Sequence, residues 1–186
     1  MEETMKILVL NGPNLNLLGQ REPEIYGSLT LESLNRRLAL YGEELNEERA
    51  GKRSRIELYF YQSNHEGVLI DTIQNAPHDY DGIVYNPAAH THYSVALRDA
   101  VASVPIPVVE THLSDIVERG SFRMLSVISE VCIGQFMGKG VDSYREAIDL
   151  LVQYLDTFPT ADEREDFASV PVGFSSNALF PDEQDV

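Results

Sequence analysis

Lys6-Ile7-Leu8-Val9-Leu10-Asn11-Gly12-Pro13-Asn14 is a short apolar run that stops abruptly in turn chemistry. Four consecutive apolar residues without polar alternation describe a strand buried on both faces, and Asn-Gly-Pro-Asn cannot continue it. Similar runs return at Ile56 to Gln62, Gly82 to Asn86 and Pro107 to Thr111, with a fifth candidate from Val131 to Phe136. Between them, Leu31, Leu34, Leu38 and Leu45 recur at roughly helical spacing, as do Val141, Tyr144, Ile148, Leu151 and Leu155. Buried strands alternating with amphipathic helices form a parallel sheet covered on both faces. The expectation is an α/β fold, a flavodoxin-like three-layer sandwich with five parallel strands in the order 2-1-3-4-5. Asn46 to Arg55 is polar and reads as a surface connection between the first helix and the second strand.

The chain has 186 residues, enough for one such domain with a hydrophobic core, and its 43% hydrophobic and 24% charged content is that of a folding sequence. The expected domain runs from residue 1 to 158. Pro159 to Val186 holds seven acids against one base, so it carries −6 of the total −16 and leaves −10 for the rest. It reads as a flexible acidic extension. The net charge argues against nucleic acid or an anionic membrane as partner, because the whole-protein field repels phosphates. A small anionic substrate remains allowed where basic groups are concentrated. An acidic Met1-Glu2-Glu3 start, no apolar stretch near the roughly 20 residues of a membrane span, and a single cysteine together suggest a cytoplasmic protein. Cys132 itself reads as a small buried hydrophobe.

Ligands of such sheets sit beyond the carboxyl ends of the strands. Those ends carry Asn11 to Asn14, then Ser63-Asn64-His65-Glu66, then Asn86 with His90 and His92, then Glu110, His112 and Ser114. Leu18 to Gly27 is a long excursion between strand and helix, the length of a functional lid, and carries Arg21 and Tyr26. A guanidinium near a phenol favours the phenolate, so the pair could supply a base near neutrality; equally, Tyr26 could pack and Arg21 be solvated. Glu110 and His112 share one face of a strand, where a carboxylate fixes the imidazole tautomer and stabilises its cation. A strand-end ion pair serving stability alone is the competing reading. His90, His92 and His112 could suggest a metal, but with no cysteine cluster and a weak His-Thr-His spacing none is expected. Asn14 and Asn86 are amides that bind oxygens or hold turns, and Arg119 with Arg123 could grip a carboxylate or simply be solvated.

Taken together, these stretches form a pattern. Leu10-Asn11-Gly12-Pro13-Asn14-Leu15-Asn16-Leu17-Leu18-Gly19, Arg21-Glu22-Pro23 with Tyr26-Gly27, Gln62-Ser63-Asn64-His65-Glu66-Gly67, Asn86-Pro87 with Thr91-His92, Ser94 to Asp99, and Glu110 with His112-Leu113-Ser114 closely resemble the type II 3-dehydroquinate dehydratases. The resemblance covers Met5 to about Leu155. It implies elimination of water from 3-dehydroquinate to give 3-dehydroshikimate, the third step of the shikimate route to chorismate and aromatic amino acids, without a cofactor. It further implies that Tyr26 is the base, that Arg21 stabilises its phenolate, and that Asn14 helps hold a water against the enolate. His112 then protonates the departing hydroxyl, oriented by Glu110. Asn86, His92, Leu113 through its backbone, Ser114 and Arg123 match substrate-binding positions. Asp99 matches an acid that reaches a neighbouring subunit's site, so trimers, usually assembled into a dodecamer, are implied.

The other route to the same dehydration uses a lysine Schiff base in a barrel, and Lys6, Lys52 and Lys139 are the only lysines, none placed for it. Departures from the family pattern concentrate between Asp115 and Ser126. Two rivals stay in view: a flavodoxin-like binding protein that has lost turnover, and a metal-dependent hydrolase built on the three histidines.

Overall fold

The computed structural model describes residues 3–20, 29–51, 54–117 and 125–158. Along β1 (Glu3–Asn11) successive side chains alternate between two cores. Ile7 and Val9 enter one, Leu8 and Leu10 the other, which is the period of two that burial on both faces requires. β2 (Ser54–Gln62), β3 (Gly82–Asn86), β4 (Val108–His112) and β5 (Gly134–Met137) complete a five-stranded parallel sheet in the order β2-β1-β3-β4-β5. Both the architecture and the strand order expected from the sequence are therefore present.

Four helices, α1 (Leu31–Glu48), α2 (Glu66–Asn75), α3 (Val95–Ala102) and α4 (Val141–Thr157), supply the outer layers. The Thr30 hydroxyl caps α1 by accepting from Ser33 N at 3.1 Å, and the Ser94 hydroxyl caps α3 by accepting from Leu97 N at 3.0 Å. Leu34 and Leu38 of α1 meet Tyr144, Ile148 and Leu151 of α4 over Ile7 and Val9. On the opposite face Leu69, Ile73, Leu97 and Val101 cover Leu10, Ile83 and Tyr85. Each fully buried aliphatic side chain contributes about 1.5–3 kcal/mol, so these two cores hold the layers together. Polar clasps join α1 to α4: Tyr41 donates to Asp149 at 2.6 Å, and the Arg49 fork reaches both oxygens of Asp156 at 2.5 and 2.7 Å. No helix among the described residues is long and apolar enough to cross a membrane.

Two expected boundaries move. The fifth strand begins at Gly134, because Ser129–Val131 forms a 3-10 turn and Ile128 and Cys132 are drawn into the core under α2 and α3 instead of pairing in the sheet. The polar stretch Asn46 to Arg55 is shorter as a connection, since α1 runs on to Glu48 and β2 starts at Ser54. Asn46 explains why the helix continues. Its amide accepts from Ile56 N at 2.8 Å and donates to Ile56 O at 2.9 Å, satisfying backbone groups of edge strand β2. The acidic extension expected at 159–186 lies outside the described residues.

The β1 and β3 ends are tied where Gly12 N donates to Asn86 O at 2.7 Å. A Cβ at Gly12 would stand 2.6 Å from the Pro87 carbonyl oxygen. Gly12→Ala should therefore cost about 1–3 kcal/mol by forcing the two strand ends apart, measured as a lower urea midpoint with an unchanged slope. An unshifted midpoint would show that the junction yields without cost.

Candidate active site

The carboxyl ends of the strands are knitted into a polar platform before any ligand is considered. Ser63 N donates to Asn11 O at 3.1 Å, and Gln62 Nε2 donates to Gly12 O at 3.2 Å. Asn64 Oδ1 accepts from Gln62 Nε2 and from Asn14 N, both at 2.9 Å. Asn14 is exposed and sits in the left-handed region at φ 65°, a conformation Asn tolerates, so the turn that ends β1 lifts this amide to the surface.

A second layer of the platform comes from α4. The Tyr144 hydroxyl donates to Asn11 Oδ1 at 2.6 Å and accepts from Asn86 Nδ2 at 2.7 Å, bridging the ends of β1 and β3. Asn86 Oδ1 accepts from Ala88 N at 3.0 Å. The Asn86 amide is thus locked in orientation, with one N–H and one lone pair left for other partners.

The charged centre lies at the end of β4. Glu110 is fully buried and His112 nearly so, and His112 Nε2 lies 2.6 Å from Glu110 Oε1. Thr91, in the 3-10 turn Ala88–His92, donates its hydroxyl to the same oxygen. Ser126 Oγ donates to Oε2 at 2.8 Å while accepting from Ile128 N and Ser129 N at 3.2 and 3.0 Å. Gln135 Nε2, from β5, donates to Oε2 at 3.0 Å. Burial pushes the Glu110 carboxyl upward, but the hydrogen bond and charge of His112, with the Thr91 and Ser126 hydroxyls, outweigh it and hold the group below its usual value. The carboxylate is ionised and aimed at an imidazole, an arrangement suited to holding a protonated histidine.

The other two histidines considered as metal ligands stand in separate surroundings. His92 Nδ1 lies 2.9 Å from Leu125 O, and His90 is buried edge-on to Tyr93, where burial lowers its pKa. No group of three His, Cys, Asp or Glu side chains converges among the described residues, so His90, His92 and His112 do not share a centre there. Cys132 is buried and desolvation pushes its thiol up, which makes it a packing residue. Lys139 Nζ is held by Glu146 at 2.7 Å, and Lys6 is exposed on β1.

Of the other residues singled out from the sequence, Ser114 is half-buried after β4, and the Leu113 carbonyl accepts from Gly140 N at 2.8 Å. Asp99 is exposed on α3, 3.5 Å from Arg98. Arg21, Tyr26, Arg119 and Arg123 lie outside the described residues. Sequence reasoning assigned no role to Thr91, Ser126, Gln135 or Tyr144. Gln135 offered a signal, being a polar residue inside an apolar strand run, whereas Tyr144 was hidden within the apolar face of a helix.

Comparison with known proteins gives consistent relatives. Residues 5–152 match the family described as dehydroquinase class II. A 3-dehydroquinate dehydratase of Bacillus pumilus is 52% identical over 145 residues, spanning 78% of this chain and 92% of the relative. One from Acaryochloris marina is 52% identical over 151 residues, 81% of this chain and 95% of its own. Among solved structures, the type II dehydroquinase of Butyrivibrio crossotus superposes with a TM-score of 0.73 at 50% identity, covering 80% of this chain and 98% of that one.

Because the Glu110 pKa is depressed on folding, its stabilisation is full above the unfolded carboxyl pKa of about 4.3 and is lost as pH falls through the lower folded value. Thr91→Val removes one donor to the ionised form. The variant should be less stable by about 1–2 kcal/mol at neutral pH, and the gap to the parent should close as pH falls below about 4. Unfolding curves taken across that range check it; a gap that stays constant with pH would mean that Thr91 does not act through the Glu110 charge.

Proposed function

The chain belongs to the class II dehydroquinase family, and from that premise we propose that it converts 3-dehydroquinate to 3-dehydroshikimate and water by anti elimination through an enolate, the third step of the shikimate pathway. The observation that carries the mechanism is the buried Glu110 carboxylate 2.6 Å from His112 Nε2. Tyr26, as a phenolate stabilised by Arg21, takes the proton from the carbon beside the ketone, and the electron pair moves to the ketone oxygen. Asn14, exposed at the end of β1, holds a water against the enolate charge, where a fixed dipole stabilises the transition state. The enolate then collapses to the carbonyl, a carbon–carbon double bond forms, and the C1 hydroxyl leaves with a proton from His112. With Nε2 held by Glu110, that proton comes from Nδ1.

Asn86, His92, the Leu113 backbone, Ser114 and Arg123 bind the substrate carboxylate and hydroxyls, with Asn86 contributing the N–H that Tyr144 leaves over. Asp99, exposed on α3, reaches the site of a neighbouring subunit, in a trimer that assembles further into a dodecamer. The protein acts in the cytoplasm, its catalytic domain spans residues 1–158, and 159–186 is an acidic appendage.

Purified protein mixed with 3-dehydroquinate should develop the absorbance of a conjugated enone, and no product from the assembled protein would sink the proposal. Tyr26→Phe should lower kcat by about 10²–10⁴-fold with substrate binding retained. A near-normal rate removes Tyr26 from the base role. His112→Ala should slow hydroxyl loss more than exchange of the C2 proton with solvent, and equal damage to both steps would deny a dedicated leaving-group acid.

A further inference from the structure

The two oxygens of Glu110 are treated differently. Oε1 faces His112 and Thr91, while Oε2 is met by Ser126 at 2.8 Å and by Gln135 at 3.0 Å. Gln135 stands directly across from Glu110 in the β4–β5 register, so the two side chains leave the sheet on one face as neighbours. A carboxylate is symmetric and swings about its last torsion, which is broad and roughly two-fold. Nothing about the His112 contact alone stops that swing. Ser126 touches both oxygens, at 3.0 and 2.8 Å, and so tolerates rotation. Gln135 touches Oε2 only, the oxygen that His112 does not meet.

We propose that Gln135 is a positioning residue of the reaction: its amide pins Oε2 so that Oε1 points at His112, and it acts on the leaving-group proton only through Glu110. This rests on the dehydratase reading and adds to it a residue of edge strand β5. The amide suits the task because it donates without titrating, so it orients the carboxylate without competing for its charge. Among the described residues, the titratable groups facing Glu110 are His112 on its own strand, Tyr85 from β3 and Cys132 from the segment before β5. Burial pushes both the Tyr85 phenol and the Cys132 thiol up, so neither adds a negative charge beside the pair near neutrality.

The test is a pair of variants. Gln135→Met keeps the side-chain length and removes the donor; kcat should fall about tenfold with KM within about twofold of the parent. Gln135→Glu should approach the parent rate at acid pH, where the introduced carboxyl is protonated and donates, and should lose activity as that carboxyl ionises against Glu110. A Gln135→Met kcat equal to the parent's overturns the inference. So does an equal loss in both variants with no dependence on pH, which is the signature of a purely structural role. A crystal structure of Gln135→Met supplies a readout that needs no turnover. Glu110 should rotate and lengthen its contact with His112, and an unmoved carboxylate overturns the inference even in a chain that does not process 3-dehydroquinate. Absence of turnover in the parent, by contrast, overturns the dehydratase reading and leaves the crystallographic result to decide the role of Gln135.

Discussion

A carboxylate sealed from solvent is the constraint around which this structure is arranged. Taking an ion of that size out of water costs several kcal/mol even after relaxation, and Glu110 is fully buried. The cost is offset only because donors arrive from four parts of the chain: His112 on the same strand, Thr91 from the turn after β3, Ser126 from the approach to β5, and Gln135 from β5 itself. Removing one partner leaves part of that charge without compensation. The registers of β3, β4 and β5 and the path of the intervening chain are therefore coupled to one side chain, and the flanking hydrophobic cores hold those elements close enough for it to be satisfied.

How far the sequence could be read follows from the physics of each residue. Ile7 to Leu10 announced a doubly buried strand because apolar continuity is a one-dimensional signal, and β1 behaves accordingly. The fifth strand was misplaced because Val131 to Phe136 is apolar for two reasons: Cys132 fills a core and Phe136 sits in the sheet, and periodicity does not separate them. Glu110 with His112 was legible because both belong to one strand and share a face. Thr91, Ser126 and Gln135 were not, since a hydroxyl or amide becomes a partner of Glu110 only after three separate segments have been brought together. Tyr144 shows the same limit from another side: its ring obeys helical patterning, and its hydroxyl obeys tertiary geometry.

The two polar systems divide the labour. The Glu110 cluster, on the β4–β5 side, surrounds a buried carboxylate with donors. The Asn11–Tyr144–Asn86 bridge, on the β1–β3 side, sets the direction of an amide through a phenol hydroxyl.

Tyr144 has a further consequence, which concerns time. Asn11 is made 133 positions before the tyrosine whose hydroxyl donates to its side chain. Loop closure over such a distance is costly in entropy and is made only once the rest of the sheet is in place. Until α4 docks, Ile7 and Val9 leave one face of the sheet uncovered, so that core and the crevice are completed together. Tyr144 thus makes the arrangement of the β1 and β3 ends part of the docking of α4 and not a step that precedes it.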